Sequence, residues 1–123
     1  VEQAMRTRET VVAGPVNLVQ GGRALVSRTP IFVTDSQTNK EKYWGVISLV
    51  VDTESLLKAS QLVSDDGKLS YSLRGTDGRG AKGTVFFGST AVFTMNPVTL
   101  PIALPGGSWQ LAAVPTKGWS SVA

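Results

Sequence analysis

The apolar and polar positions of the chain follow the two-residue period of β-strands over much of its length. Residues 10–19 and 23–33 are rich in β-branched side chains, and the Gly21-Gly22 pair between them is typical of a two-residue hairpin turn. Residues 69–74 alternate strictly between apolar and polar side chains, and a short apolar run follows at 84–87. We expect antiparallel strands at each of these segments.

Three further segments complete the predicted sheets. Residues 43–51 are almost all aliphatic, aromatic or β-branched, which indicates a central strand. Residues 98–104 and 108–114 flank a Pro-Gly-Gly turn, so these two strands are predicted to be adjacent and antiparallel. Pro30 lacks a backbone N–H and is therefore expected at an edge or a bulge.

Two segments have helical rather than strand character. Residues 1–9 contain good helix formers without glycine or proline, which predicts the end of a helix that began upstream. Asp52 or Thr53 can cap a second helix, and Glu54 lies in its first turn, where the helix dipole favours negative charge. One helix between two groups of antiparallel strands predicts the α+β fold class.

The composition excludes several kinds of chemistry. The chain contains neither His nor Cys, so a Ser-His-Asp triad, a Cys-His pair and the usual zinc sites cannot form. Twelve basic and nine acidic residues are spread along the chain, which gives no clustered footprint for nucleic acid. We therefore expect no enzyme activity, no nucleic-acid binding and no cofactor.

The boundaries of the sequence indicate a part of a longer protein. No apolar stretch approaches the roughly 18 residues that a membrane span needs. The chain also begins on Val rather than Met. We interpret it as an excised piece of a longer protein whose targeting segments lie elsewhere.

The glycine-rich segment GRGAKG at 78–83 formally fits the dinucleotide pattern G-x-G-x-x-G. That pattern needs a helix directly after it, whereas a strand is predicted at 84–87. The acidic partner further along the chain is missing too, because Asp77 is the last acidic residue. We expect a turn, and the nearby Arg74, Arg79 and Lys82 leave a phosphate-binding loop as a minor alternative.

Arg28 is a full charge in the middle of the apolar run 24–32. Strand alternation places it on the same face as Ala24, Val26 and Pro30. Burying an unpaired guanidinium is costly, so Arg28 must either face solvent or find a partner. The residues alone leave two alternatives open: an exposed sheet face, or a cavity that receives an anion or a polar small molecule.

Taken together, these motifs resemble the CHASE domain, the extracytoplasmic sensor module of membrane-anchored signalling proteins. Such proteins include bacterial diguanylate cyclases, sensor histidine kinases and the plant cytokinin receptors. The resemblance runs from about Arg8 to Trp119. It is carried by the segments ETVVAGPVNLVQGGRALVSRTPIF, YWGVISLVVDTESLL, LRGTDGRGAKGTVFFG and NPVTLPIALPGGSWQLAAVPTKGW.

The resemblance implies a PAS-like fold of antiparallel sheets with flanking helices, held between two transmembrane helices. In its fuller form, a long helix precedes two stacked PAS-like units. The chain resembles a partly truncated CHASE domain. We expect residues 1–52 to be the C-terminal strands of the distal unit, residues 53–119 to be the proximal unit, and residues 120–123 to be a tail.

The function implied by the resemblance is small-molecule sensing. The parent is expected to be an inner-membrane protein, most simply a diguanylate cyclase with a GGDEF domain, and this domain is expected in the periplasm. In the cytokinin receptors the pocket lies in the distal unit, and a pocket threonine corresponds to Arg28. That departure argues against a purine hormone and for an anionic ligand. Val19, Tyr43 and Trp44 are the other candidate lining residues.

The alternative is a dimerisation or protein-interaction module of the same receptor that binds no ligand, and a homodimer is left open. Such a module is expected to have a filled core with Arg28 in solvent.

Overall fold

The computed structural model describes residues 2–60 and 68–117. The predicted tail at 120–123 and Trp119 lie outside these residues. In chain order the elements are α1 (Glu2–Thr7), β1 (Val11–Asn17), β2 (Arg23–Thr34), β3 (Glu41–Asp52), α2 (Thr53–Ala59), β4 (Leu69–Arg74), β5 (Val85–Phe87), β6 (Val98–Leu104) and β7 (Gly107–Pro115), with 3₁₀ turns at Thr76–Gly78, Gly80–Lys82 and Thr90–Thr94.

The balance of elements confirms antiparallel sheets but corrects the expected share of helix. Of the described residues, 52% lie in strands and 22% in helices, the 3₁₀ turns included, so this part of the chain is sheet-rich and not clearly α+β of the PAS-like kind. The physical reason is the length of the helices: α1 has six residues and α2 has seven. Neither helix is long enough to cover a whole face of a sheet.

The first sheet contains three antiparallel strands in the order β1-β2-β3. The predicted β1–β2 hairpin is confirmed, and Gly21 and Gly22 both have positive φ. The expected two-residue turn is wrong in length: the connection spans residues 18–22, because the Leu18 N–H donates to the Gly22 carbonyl and Asn17 is the last residue of β1 to pair. Pro30 lies beyond the last β1 partner of β2, where β2 is paired only with β3. Its expected position at an edge of the ladder is therefore confirmed.

The prediction that residues 43–51 form a central strand is wrong in one respect. They do form a strand, but β3 pairs only with β2 and stands at the edge of its sheet. The exposed large side chains of β3 include Ile47, Leu49 and Val50. An apolar composition indicates that a strand can be covered on both faces, but it does not specify which neighbours cover it.

The second sheet contains four antiparallel strands in the order β5-β4-β7-β6. The turn at Pro105 and Gly106 joins β6 to β7, and their pairing runs from Val98 opposite Ala113 to Leu104 opposite Gly107. The predicted hairpin is confirmed. The strand predicted at 69–74 is confirmed as the central strand β4, with Leu73 in the core on one face and Ser72 fully buried on the other.

A hydrophobic core joins the two sheets. Its buried members come from β2, α2, β4 and β7: they are Leu25, Leu57, Leu73 and Trp109. A second, smaller cluster of Val92, Ala112 and Val114 lies on the other face of the four-stranded sheet. The larger core draws on residues from both sides of the proposed boundary at residue 52, and that boundary stays a prediction.

Helix α2 begins where the sequence places its cap. The Asp52 side chain accepts a hydrogen bond from the backbone N–H of Ser55 at 3.3 Å and a second one from the Ser55 hydroxyl. The cap fixes the direction in which the chain leaves β3. As a result Leu57 points into the core between the sheets and is almost fully buried.

Candidate functional site

Arg28 lies in the middle of the three-stranded sheet. It pairs with Val11 on β1 and with Ser48 on β3. Residues directly opposite each other in an antiparallel pair project to the same face, so these three side chains share a face. Alternation adds further members, and we call the set the Arg28 face: Val11, Ala13, Ala24, Val26, Arg28, Pro30, Val46, Ser48 and Val50.

Arg28 is partly buried, and its guanidinium has no hydrogen-bond or ion-pair partner among residues 2–60 and 68–117. The other members of the Arg28 face are uncharged. Both acidic residues of β3 are engaged elsewhere, because Glu41 pairs with Arg8 and Asp52 caps α2. Arg28 is thus a cation on an uncharged face, with its five N–H donors available.

An aromatic cluster stands further along the same face. Phe32 is four residues from Arg28 on β2, about 13 Å at the rise of a strand. Its ring contacts Tyr43 edge to face, with ring centroids 5.8 Å apart. The guanidinium of Arg8 lies over the Phe32 ring, 3.9 Å from its centroid, and also pairs with Glu41. The structure therefore brings Arg28 and Tyr43 onto one face, separated by most of the length of a short strand.

The other two predicted lining residues lie apart from Arg28. Trp44 is the extra residue of a β-bulge, because the pairing shifts between Ile31–Gly45 and Phe32–Tyr43, and 69% of its surface is exposed. Val19 lies in the β1–β2 turn and is fully exposed. The structure does not bring Val19 near Arg28, and the roles of all four residues stay predictions.

The sequence reasoning did not identify Arg8 and Phe32 as candidates. Their contact depends on the chain reversing between α1 and β1, which brings a residue just after the helix back over β2. The one local signal is the aromatic side chain of Phe32, which lies in the same strand as Arg28 and at a spacing of four, hence on the same face.

The glycine-rich loop at 75–83 is not arranged to hold an anion. The backbone N–H groups of Gly78 and Arg79 donate to the Gly75 carbonyl, and the N–H of Gly83 donates to Gly80. Arg74 is engaged as well: its Nε donates to Gln110 Oε1 at 2.6 Å, and its guanidinium stacks 4.0 Å from the centre of the Phe93 ring. The loop N–H groups and the Arg74 guanidinium are therefore less free to bind phosphate.

The four-stranded sheet contains an open groove of about 490 Å³. None of the predicted site residues lines it. Its walls are the first half of β4, the end of β7 and the 3₁₀ turn at Thr90–Thr94, and the lining is uncharged. Lys68 and Lys117, beside the two strand ends, adjoin segments outside the described residues. The groove therefore differs from the Arg28 face in both charge and position.

Two general features bear on the class of site. In the part of the chain that the structure describes, no group of three or more acidic side chains stands close enough to hold a metal ion. Within the same part, no helix is both long enough and apolar enough to cross a membrane.

Comparison with known families gives one result. The family model described as the CHASE domain matches residues 1–87, more than half of the chain. The matched region includes the whole three-stranded sheet, α2, β4 and β5. CHASE domains are extracellular sensor domains of receptors and are not catalytic. No curated protein matches the sequence at a significant level.

Proposed function

Because the chain belongs to the CHASE domain family, we propose that it senses an anionic small molecule, which binds at Arg28 on the face of the three-stranded sheet. The observation that carries this proposal is the unpartnered guanidinium of the partly buried Arg28, whose neighbours on the Arg28 face are uncharged. A guanidinium binds a carboxylate or phosphate through two parallel hydrogen bonds, which gives both affinity and orientation.

The remaining members of the proposed site are aromatic. Tyr43 stands with Phe32 and Arg8 at one end of the Arg28 face. A ligand that spans the distance from Arg28 to Tyr43 would combine an anionic group with a flat or apolar part. Trp44 can contribute from the bulge beside Tyr43, and Val19 is the weakest candidate because it lies in the turn at the other end of the hairpin.

The wider context of the domain follows from the family. We infer a periplasmic domain of an inner-membrane receptor, with sheets that belong to PAS-like units and a cytoplasmic output enzyme, most simply a diguanylate cyclase of the GGDEF type. Ligand binding would favour one arrangement of the sheets over another and thereby change the output. The domain itself performs no chemistry on its ligand.

A thermal-shift screen tests the proposal directly. The wild-type chain is heated in the presence of malate, citrate, glutamate or adenine, each at several concentrations. An anionic ligand that binds only the folded state raises the Tm, and the rise grows with the logarithm of the ligand concentration once that concentration exceeds Kd. We expect a rise with at least one of the carboxylates and no rise with adenine.

Arg28→Gln is the decisive variant, and Arg79→Gln is its matched control. Both remove one positive charge, but Arg79 is an exposed residue of the glycine-rich loop. The shift should vanish in Arg28→Gln and persist in Arg79→Gln. An equal shift in both variants, or the absence of any shift in the wild type, would refute binding at Arg28.

A second candidate function is supported by β3. Its large apolar side chains are exposed on both faces of the strand, and patches of this kind often mark a contact with another protein. The domain would then act as an interaction or dimerisation module of the receptor. Sedimentation of the wild-type chain distinguishes the two: a monomer over a wide concentration range argues against a homodimer.

A further inference from the structure

Side-chain hydrogen bonds join the two sheets at β2 and at β1. At β2 the Arg23 guanidinium donates to the Phe86 carbonyl of β5, and a second bond reaches β1. Asp77, in the loop after β4, accepts a hydrogen bond from the backbone N–H of Gly14 in β1 at 2.8 Å, across a separation of 63 residues. The backbone of Asp77 has φ +61°, a conformation that Asp and Asn tolerate better than most residues. The carboxylate is thus aimed at β1 by the shape of its own loop.

The β6–β7 turn touches the same strand a few residues earlier. The backbone N–H of Val12 donates to the Pro105 carbonyl at 3.2 Å. Gly106 packs so closely that a Cβ there would stand 3.2 Å from Val11 Cγ2 and 3.3 Å from the Thr10 carbonyl oxygen. Val11 is the residue that pairs with Arg28. The β6–β7 turn of the four-stranded sheet therefore contacts Val11, which is the β1 residue paired with Arg28.

We propose that Asp77 is a positioning residue that locks β1 against the four-stranded sheet, so that a displacement of the Arg28–Val11 pair is passed to the β6–β7 turn. The part of this proposal that concerns a ligand rests on the proposed function. The role of Asp77 in holding β1 does not depend on a ligand, because it concerns contacts within this chain. Two contacts on one strand, at Val11–Val12 and at Gly14, resist rotation of β1 in a way that one contact alone would not.

The physical basis is that of a packed interface. A movement of β1 displaces Gly106 and the Pro105 carbonyl only while β1 is held at a fixed distance from the loop after β4. Asp77 supplies that distance through a charge-assisted hydrogen bond, which is shorter and stronger than a neutral one. Without this hydrogen bond, β1 can shift relative to the loop after β4, and a movement at Arg28 then does not reach the β6–β7 turn.

Hydrogen exchange measured by NMR on the whole chain tests whether the Asp77–Gly14 hydrogen bond holds β1. In the wild type the Gly14 amide should be protected. In Asp77→Gly, which keeps the loop backbone accessible but removes the acceptor, that amide should exchange about tenfold faster. Asp77→Asn retains a side-chain oxygen and a tolerance for positive φ, so it should restore most of the protection. Asn96→Gly changes another residue with positive φ, at a site with no such bond, and should leave Gly14 unaffected.

The coupling is tested by adding Arg28→Leu in each background. We expect Arg28→Leu to change the exchange rates of the β6–β7 turn amides in the wild type and in Asp77→Asn, and to leave them unchanged in Asp77→Gly. A merely structural role for Asp77 would change exchange uniformly along the chain, and that result overturns the proposal. So does an equal effect of Arg28→Leu in all backgrounds. No ligand is used, so a failed ligand screen does not alter these outcomes.

Discussion

The two sheets differ in how completely they are covered. In the four-stranded sheet, Leu73 and Val114 project to opposite faces, and each is only 1% exposed. In the three-stranded sheet, Leu49 and Val50 also project to opposite faces, yet they are 62% and 63% exposed. The four-stranded sheet is buried on both sides at its centre, although its edge strand β6 exposes Val98 and Leu100, and the three-stranded sheet is open on both sides along β3.

This difference separates the source of stability from the surface available for binding. Burial of apolar area is the main favourable term in folding, so the two clusters on the two faces of the four-stranded sheet, one of them shared with the three-stranded sheet, carry most of the stability. The three-stranded sheet contributes Leu25 and the partly buried Val12 to the shared core, and it exposes most of the large apolar side chains of β3. Substitutions in the two sheets should therefore have very different effects on unfolding.

The largest expected effect comes from a matched pair of leucines. Leu73→Ala removes a fully buried side chain and leaves a cavity, so it should lower the free energy of unfolding by about 2–5 kcal/mol. Leu49→Ala, on the exposed strand, should change it by less than about 0.5 kcal/mol. Urea denaturation measures both. Similar losses for the two variants would contradict the contrast between the sheets.

A pair of glycines sharpens the comparison at the level of the backbone. Gly88 has φ +77°, and a Cβ there would collide with the Tyr71 carbonyl and the Ser72 hydroxyl. Gly88→Ala should therefore lower the free energy of unfolding by about 1–3 kcal/mol. Gly45 on β3 has no atom within 4 Å of an added Cβ. Gly45→Ala should be neutral or slightly stabilising, and calorimetry that shows it to be as harmful as Gly88→Ala would refute the open face.

Helix α2 connects the two sheets, and its cap can be removed without touching the core. Asp52→Ala should lower the free energy of unfolding by about 1 kcal/mol, because the first turn loses a hydrogen-bond acceptor. Asp52→Asn keeps that acceptor and should retain most of the stability. Chemical denaturation of both variants checks this, and equal losses would show that the charge, rather than the cap, is what matters.

The smallest effect on stability is expected from a charge on β3. A long edge strand with apolar side chains is prone to pair with other chains. Leu49→Lys should leave the free energy of unfolding within about 0.5 kcal/mol of the wild type, because the position is exposed. It should also raise the concentration at which the isolated chain begins to aggregate. Light scattering measures that concentration, and no change would argue that β3 does not drive association.

The local features of the fold were predictable from the sequence. The β1–β2 hairpin, the Asp52 cap and the turn at Pro105 each depend on a few adjacent residues, and each lies where the sequence predicts it, although the β1–β2 connection is five residues long instead of two. Such features are set by backbone preferences that act within one turn of the chain. Strand β4 was predictable for the same reason, because apolar and polar residues alternate along it.

The features that depend on distant contacts were not predictable. The edge position of β3 depends on which strands stand beside it, and its composition does not contain that information. The stacking of Arg8 on Phe32 requires α1 to fold back over β2. For the site, alternation correctly separated the face of Arg28 from that of Leu25, but it could not tell that Val19 would lie in an exposed turn.

The most direct test of the central claim is an NMR titration of the isotopically labelled chain with the carboxylate that gives the largest thermal shift. Binding at Arg28 predicts chemical-shift changes at Val11, Arg28 and Ser48, with further changes around Tyr43, and none of these in Arg28→Gln. Changes confined to the groove beside Tyr71 and Val92, or changes that persist unaltered in Arg28→Gln, would contradict it.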